Sequence, residues 1–241
     1  MFNAILFDLD GTLLLNDTDT FIKCYFSLLM EEFKKKNLGD ANLLFQSLQE
    51  AVKKMMQNRG PKSNEEVFWG EFERLTERSR KDFNEFFNNF YLNIFPKIKD
   101  LGNVKPHPYA REIVQRSFDL GLKVIIATNP VFPLIAIKER LSWAGLSEFP
   151  FHLITSMEIM HACKPFPEYY KEILEKIEEK PEKAIMVGND VEEDLPAGRL
   201  GITTFLVTES QLINYGKEDL RPDLNGTLKD LYEILPKLTK S

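Results

Sequence analysis

Near its start the chain runs Ala4-Ile5-Leu6-Phe7 and then directly Asp8-Leu9-Asp10-Gly11-Thr12. A short apolar run with no polar alternation, closed by a glycine, suits a strand covered on both faces, as in the middle of a parallel sheet. Such a strand needs a layer of structure on each side. The rest of the chain has to supply both layers.

From about residue 16 to residue 105 the pattern is helical. Phe21, Ile22, Tyr25, Phe26, Leu29 and Phe33 recur at three- and four-residue spacing. Leu43, Leu44, Leu48, Val52 and Met55 repeat the pattern after Gly39-Asp40. Ser63-Asn64-Glu65-Glu66 reads as a capping box ahead of Val67, Phe68 and Phe72. Phe83, Phe86, Phe87, Phe90 and Phe95 line a further helix. The expectation is a bundle of about four helices with its own core and no strand within it.

Beyond Pro106 helices and apolar runs alternate. Strands are expected at 124–127, 151–154, 184–187 and 204–207, the last of them closing the sheet, with a final helix over 228–238. Alternation of this kind means right-handed crossovers and a parallel sheet with helices on both faces. The reading is therefore an α/β, Rossmann-like core from residues 1–15 and 106–241, with an all-helical domain over 16–105 inserted after the first strand.

The chain has 241 residues and a net charge of −6, with acidic and basic residues interleaved. Nucleic-acid binding needs a concentrated basic face, and the one dense basic run, Lys34-Lys35-Lys36, reads as the solvated last turn of a helix. Cys24 and Cys163 lie far apart and match no metal-ligand spacing, so both are expected to be reduced thiols. A basic, apolar, small-residue leader is not seen, nor an unbroken apolar stretch of membrane-spanning length. The expectation is a soluble, cytoplasmic protein with no membrane or nucleic-acid partner, a monomer or homodimer.

In an open parallel sheet, ligands bind beyond the carboxyl ends of the strands. Polar residues collect there: Asp8 and Asp10 after the first strand, Thr128 and Asn129 after the second, Lys164 beyond the third, Asp190 and Asp194 after the fourth. Asp8 and Asp10 stand two apart, a spacing that points strand side chains the same way. Ionising two crowded carboxylates costs energy unless a cation intervenes. The pair can supply one ionised nucleophile and one proton donor. A tight turn accounts for Asp10-Gly11, but not for Asp8 at the end of a buried strand.

Asp8-Leu9-Asp10-Gly11-Thr12-Leu13 resembles the DxDGT signature of the haloacid dehalogenase-like superfamily. The second, third and fourth motifs of that family resemble Ile125-Ile126-Ala127-Thr128-Asn129, Lys164-Pro165, and Met186-Val187-Gly188-Asn189-Asp190 with Asp194. They occur in the family's order. The helical insertion resembles the C1 cap of subfamily I. The resemblance implies a phosphatase in which Asp8 attacks phosphorus and Asp10 serves as general acid and base. Thr128, Asn129 and Lys164 would bind the phosphoryl group, and Asp8, Asp10, Asp190 and Asp194 would hold Mg²⁺. The fourth motif often reads Gly-Asp, whereas this chain has Gly188-Asn189-Asp190. Asp190 aligns with the metal-binding aspartate, because Asp194 then keeps its four-residue offset. Asn189 in that place is the alternative, and the direct ligand stays open between Asp190 and Asp194.

A phosphomutase of the β-phosphoglucomutase type would share all four motifs. A haloacid dehalogenase would share the nucleophile but needs neither the acid at Asp10 nor Mg²⁺. A phospho-aspartate signalling domain would lack the large insertion. The expected substrate is a small phosphorylated metabolite, with the insertion acting as a mobile lid.

Overall fold

The protein is described here from a computed structural model that covers residues 1–209 and 220–239. Strand β1 (Ala4–Phe7) is followed by a two-residue strand β2 (Leu14–Leu15). Four helices come next: α1 (Thr18–Lys36), α2 (Ala41–Met56), α3 (Asn64–Thr76) and α4 (Lys81–Asn89). A π turn at Phe90–Ile94 and a 3₁₀ turn at Phe95–Lys97 carry α4 into the short α5 (Ile98–Leu101).

Strand β3 (Lys105–Pro106) then returns antiparallel to β2, and the His107 amide donates to the Leu13 carbonyl at 3.0 Å. This ladder closes the neck of the insertion. The sequence pattern missed it, because two-residue strands have no periodicity to read.

The remainder alternates. Helix α6 (Ala110–Asp119) leads to β4 (Lys123–Ile126), and α7 (Leu134–Trp143) to β5 (Leu153–Ile154). Helix α8 (Pro167–Lys176) leads to β6 (Ala184–Gly188). A 3₁₀ segment, Leu195–Leu200, precedes β7 (Thr203–Val207), and β8 (Leu224–Gly226) precedes α9 (Leu228–Thr239).

The sheet runs β5-β4-β1-β6-β7-β8, with every pairing parallel. This corrects the expectation that 204–207 closes the sheet. Strand β8 is Leu-Asn-Gly, an edge strand with no apolar run to announce it. The segments 210–219 and 240–241 of the expected core lie outside the described residues.

Strand β1 is fully buried at the centre, and its alternate residues feed two cores. Ile5 and Phe7 join Ile113, Ile137 and Leu231 on one face, while Ala4 and Leu6 join Tyr169, Tyr170 and Ile173 on the other. That is the physical reason for the unbroken apolar run.

The capping box forms as expected at α3, with Ser63 Oγ accepting from the Glu66 amide and Glu66 Oε2 from the Ser63 amide. The insertion's aromatics are core: Phe33, Phe72, Phe83, Phe90 and Phe95 are all buried. That core does not stop at the insertion. Phe95 stacks on Trp143 of α7 at 5.4 Å, and Tyr25 meets Phe132 edge-on at 5.3 Å. The buried Asn64 side chain donates to the carbonyls of Pro130 and Ala162. The insertion is thus docked on the α/β core through both apolar and polar contacts. Among the described residues, no helix is long and apolar enough to cross a membrane.

Candidate active site

Because β1 lies between β4 and β6, the loops leaving these three strands meet at one end of the sheet. Asp8 follows β1 directly, and its amide donates to the Val187 carbonyl of β6 at 2.8 Å. Lys164 arrives on the loop between β5 and α8. Its ammonium donates to Asp8 Oδ1 and to Asp194 Oδ1, each at 2.7 Å, and its side chain has no solvent exposure. The second oxygen of Asp194 accepts from the Asp190 amide at 2.9 Å. Asp190 in turn caps the following turn, its Oδ1 accepting from the amides of Glu192 and Glu193.

Burial pushes the Asp8 carboxyl up to about 8; Lys164 pulls against this and Asp194 adds to it. Burial likewise opposes the charge on Lys164, but Asp194 and Asp8 outweigh it and hold the lysine well above its ordinary range. An ionised Asp8 therefore depends on positive charge close by.

Two glycines let the strand ends approach. Gly11 has φ +80°, and a Cβ there would lie 2.3 Å from Asn189 Nδ2. A Cβ on Gly188 would lie 2.0 Å from Asp194 Oδ2. Thr128 is buried and lines the cavity described below. Its carbonyl accepts from Tyr169 Oη at 2.9 Å and Thr155 Oγ1 at 2.7 Å, which fixes the loop. Asn129 Nδ2 donates to Glu193 Oε1 at 2.9 Å.

Asp10 lines the same cavity as Asp8 but has different partners. One carboxylate oxygen is ion-paired with Arg140, and the other accepts from Asn16 Nδ2 at 3.1 Å. Asn16 also holds this turn from within, its Oδ1 accepting from the Gly11 amide at 3.1 Å.

The structure thus joins Asp8, Lys164, Asp194 and Asp190 in one chain of bonds, places Thr128 and Asn129 beside it, and ties Asp10 to Arg140. The sequence reading missed Arg140, Asn16 and Glu193. Arg140 had a signal: it stands three residues after Ile137, on the apolar face of α7, where a charge must find a partner. Burial pushes the Glu193 carboxyl up to about 7, with Lys164 opposing. Cys163, next to Lys164, is buried, and its thiol is pushed up to about 12, so it is an inert packing group.

Asp8, Asp10, Thr128, Asn129, Asp190 and Asp194 open onto a cavity of about 690 Å³ between the strand ends and helices α1 and α2. Among the described residues, no three His, Cys, Asp or Glu side chains stand close enough to cage an ion. The donors lining the cavity at the strand ends are carboxylate, amide and hydroxyl oxygens, without thiolate or imidazole. That set fits a hard cation which keeps several waters and takes further ligands from a phosphate, the habit of Mg²⁺.

The model of the haloacid dehalogenase-like hydrolase family matches residues 2–201. The chain is similar to "Pyrophosphatase PpaX" of Oceanobacillus iheyensis, 26% identical over 236 residues, 96% of each chain. It is similar to "Glyceraldehyde 3-phosphate phosphatase" of Methanocaldococcus jannaschii, 24% identical over 243 residues, 100% of each. Among solved structures it resembles a HAD phosphatase from Thermococcus onnurineus, with a TM-score of 0.60 at 19% identity over 97% of both chains. It also resembles L-2-haloacid dehalogenase from Xanthobacter autotrophicus, with a TM-score of 0.55 at 16% identity over 98% of both. The two structural likenesses concern the fold.

Proposed function

The chain belongs to the haloacid dehalogenase-like hydrolases, and on that premise we propose that it is a Mg²⁺-dependent phosphatase of small phosphomonoesters. The observation that carries this reading is the buried Lys164, bonded at once to Asp8 and Asp194 at the strand ends. A buried cation shared by two carboxylates is an electrostatic device aimed at anionic chemistry.

Asp8 attacks phosphorus: its oxygen forms a new P–O bond as the ester P–O bond breaks. Asp10 gives a proton to the departing alkoxide, then takes one from the water that hydrolyses the aspartyl-phosphate. Arg140 and Asn16 fix the direction of the Asp10 carboxylate through these steps. Lys164 offsets charge on Asp8 and the phosphoryl oxygens. Thr128 and the Asn129 amide donate to those oxygens. Asp8, the Asp10 segment, Asp190 and Asp194 form the acidic surroundings that would hold Mg²⁺, which when bound neutralises charge on the phosphoryl group. The helices of 16–105 form a cap that keeps water and bulky substrates out.

The test is turnover of a phosphomonoester panel with and without Mg²⁺, in the native chain and in Asp8→Asn. Activity that needs Mg²⁺ and vanishes in a folded Asp8→Asn protein is expected. Full activity after exhaustive chelation, or in Asp8→Asn, would refute the reading.

A further inference from the structure

The cavity is unlike at its two ends. At the sheet end stand the carboxylates and Thr128. At the cap end the wall is Ile22 and Phe26 of α1, Val52 and Met56 of α2, and Val131. These side chains are partly exposed to the cavity rather than sealed in the core, and Met56 is 40% exposed. A substrate held by its phosphate at the strand ends lays its alcohol portion against this apolar wall.

Charge sharpens the point. Among the described residues, Arg140 is the one cation lining the cavity. It is 2% exposed, paired with Asp10, and lies 4.9 Å from the Phe132 ring centroid. Lys164 is wholly buried between Asp8 and Asp194. Lys53 lines the adjoining recess, not this cavity. At the mouth stand Asp17 and Asp19, both exposed carboxylates. Asp17 accepts from the Thr20 amide at 2.7 Å, and these bonds to Thr20 hold it below the usual carboxylate range, so it stays ionised. Among the described residues lining the cavity, a second anionic group on the substrate would meet carboxylates, with no cation but the Asp10-paired Arg140. Lys23, near Asp17, is exposed and outside that lining.

We infer that the substrate is a phosphomonoester whose alcohol portion is apolar and carries no second anionic group. This inference rests on the phosphatase reading above. It sets the chain apart from the pyrophosphatase named among its relatives, whose substrate ends in a second phosphate.

The test compares kcat/KM, with Mg²⁺, for phenylpropyl phosphate, phosphooxypropanoate, propanediol bisphosphate and pyrophosphate. The first three share an alkyl leaving group, so their far ends are compared at nearly constant chemistry. The native chain should favour phenylpropyl phosphate about tenfold or more over each anionic substrate. Met56→Lys, at an exposed position that folding tolerates, should narrow the gap to phosphooxypropanoate several-fold. Equal or better turnover of the anionic substrates overturns the inference and leaves the phosphatase reading standing. An unchanged ratio in Met56→Lys overturns it too, because the wall then does not face the substrate. Failure to turn over any of the four defeats the phosphatase reading, and the inference with it.

Discussion

Arg140 and Asp10, 130 residues apart in sequence, form an ion pair that joins helix α7 to the turn after β1. The arginine is buried and the aspartate is 23% exposed, so the pair holds the carboxylate from behind. On the proposed mechanism, Arg140 is a positioning residue for Asp10 as general acid and base. Arg140→Met should lower kcat by about a hundredfold through misplacement, with KM little changed. The loss should be larger for alkyl than for aryl phosphates, whose leaving groups need less protonation. Arg140→Lys should recover part of it. A purely structural role would show equal losses on both esters and no benefit from lysine.

Lys164 is the second point of leverage. Removing it leaves Asp8 and Asp194 buried side by side without their shared cation. Lys164→Met should cut turnover by about 10² to 10³. Breaking a buried pair from one side should also cost about 3 kcal/mol of stability. Denaturant melts of the two proteins give the second number, steady-state kinetics the first. A variant with unchanged turnover would remove Lys164 from the mechanism.

Where the chain has period or position, its sequence was readable. The apolar run of β1, the amphipathic spacing of α1 and the capping box at Ser63 each rest on local chemistry that repeats or caps. The strand ends followed from sheet topology, which is why Asp8, Thr128 and Asp190 could be placed near one another. What stayed hidden depends on contacts distant in sequence. Strands β2, β3 and β8 are too short to carry a pattern. Asn16 reads as a loop residue until its bonds to Asp10 and Gly11 are seen. The insertion reads as a self-contained bundle, but Tyr25 and Phe95 pack on Phe132 and Trp143, so its core is shared with the sheet. A lid that moves must break those contacts.

Gly188 tests how tightly the site is built. A Cβ there would fall 2.0 Å from Asp194 Oδ2, so Gly188→Ala must push Asp194 off its bonds to Lys164 and the Asp190 amide. Turnover should drop by about tenfold or more, and overpacking should cost about 1–3 kcal/mol. Gly70, inside α3 with nothing within 4 Å of such a Cβ, is the control. Gly70→Ala should leave turnover unchanged and add about 0.5–1 kcal/mol of stability. Matched kinetics and melts on both variants decide the matter. An unaffected Gly188→Ala enzyme would mean Asp194 is free to shift.

The insertion should also carry a pH-dependent stability of known sign. Glu71 of α3 is 10% exposed; it is bonded to Arg74 and, across to α2, to Lys54 at 2.6 Å. Hydrogen bonds from Arg74 and then Lys54 pull its carboxyl down to about 2 from an ordinary 4.5. The folded form therefore favours the ionised state more than the unfolded form does. Its contribution is complete above the ordinary value and is lost as pH falls toward about 2. Glu71→Gln removes the charge and with it the dependence. The melting temperature of the variant should lie below that of the native chain by a constant gap from about pH 7 to about pH 5. The gap should then shrink steadily toward about pH 3, because the native chain is losing what the variant never had. Thermal melts of both proteins across that range measure it. A gap that widens on acidification would reverse the sign and show that Glu71 gains nothing from its two cations in the folded state.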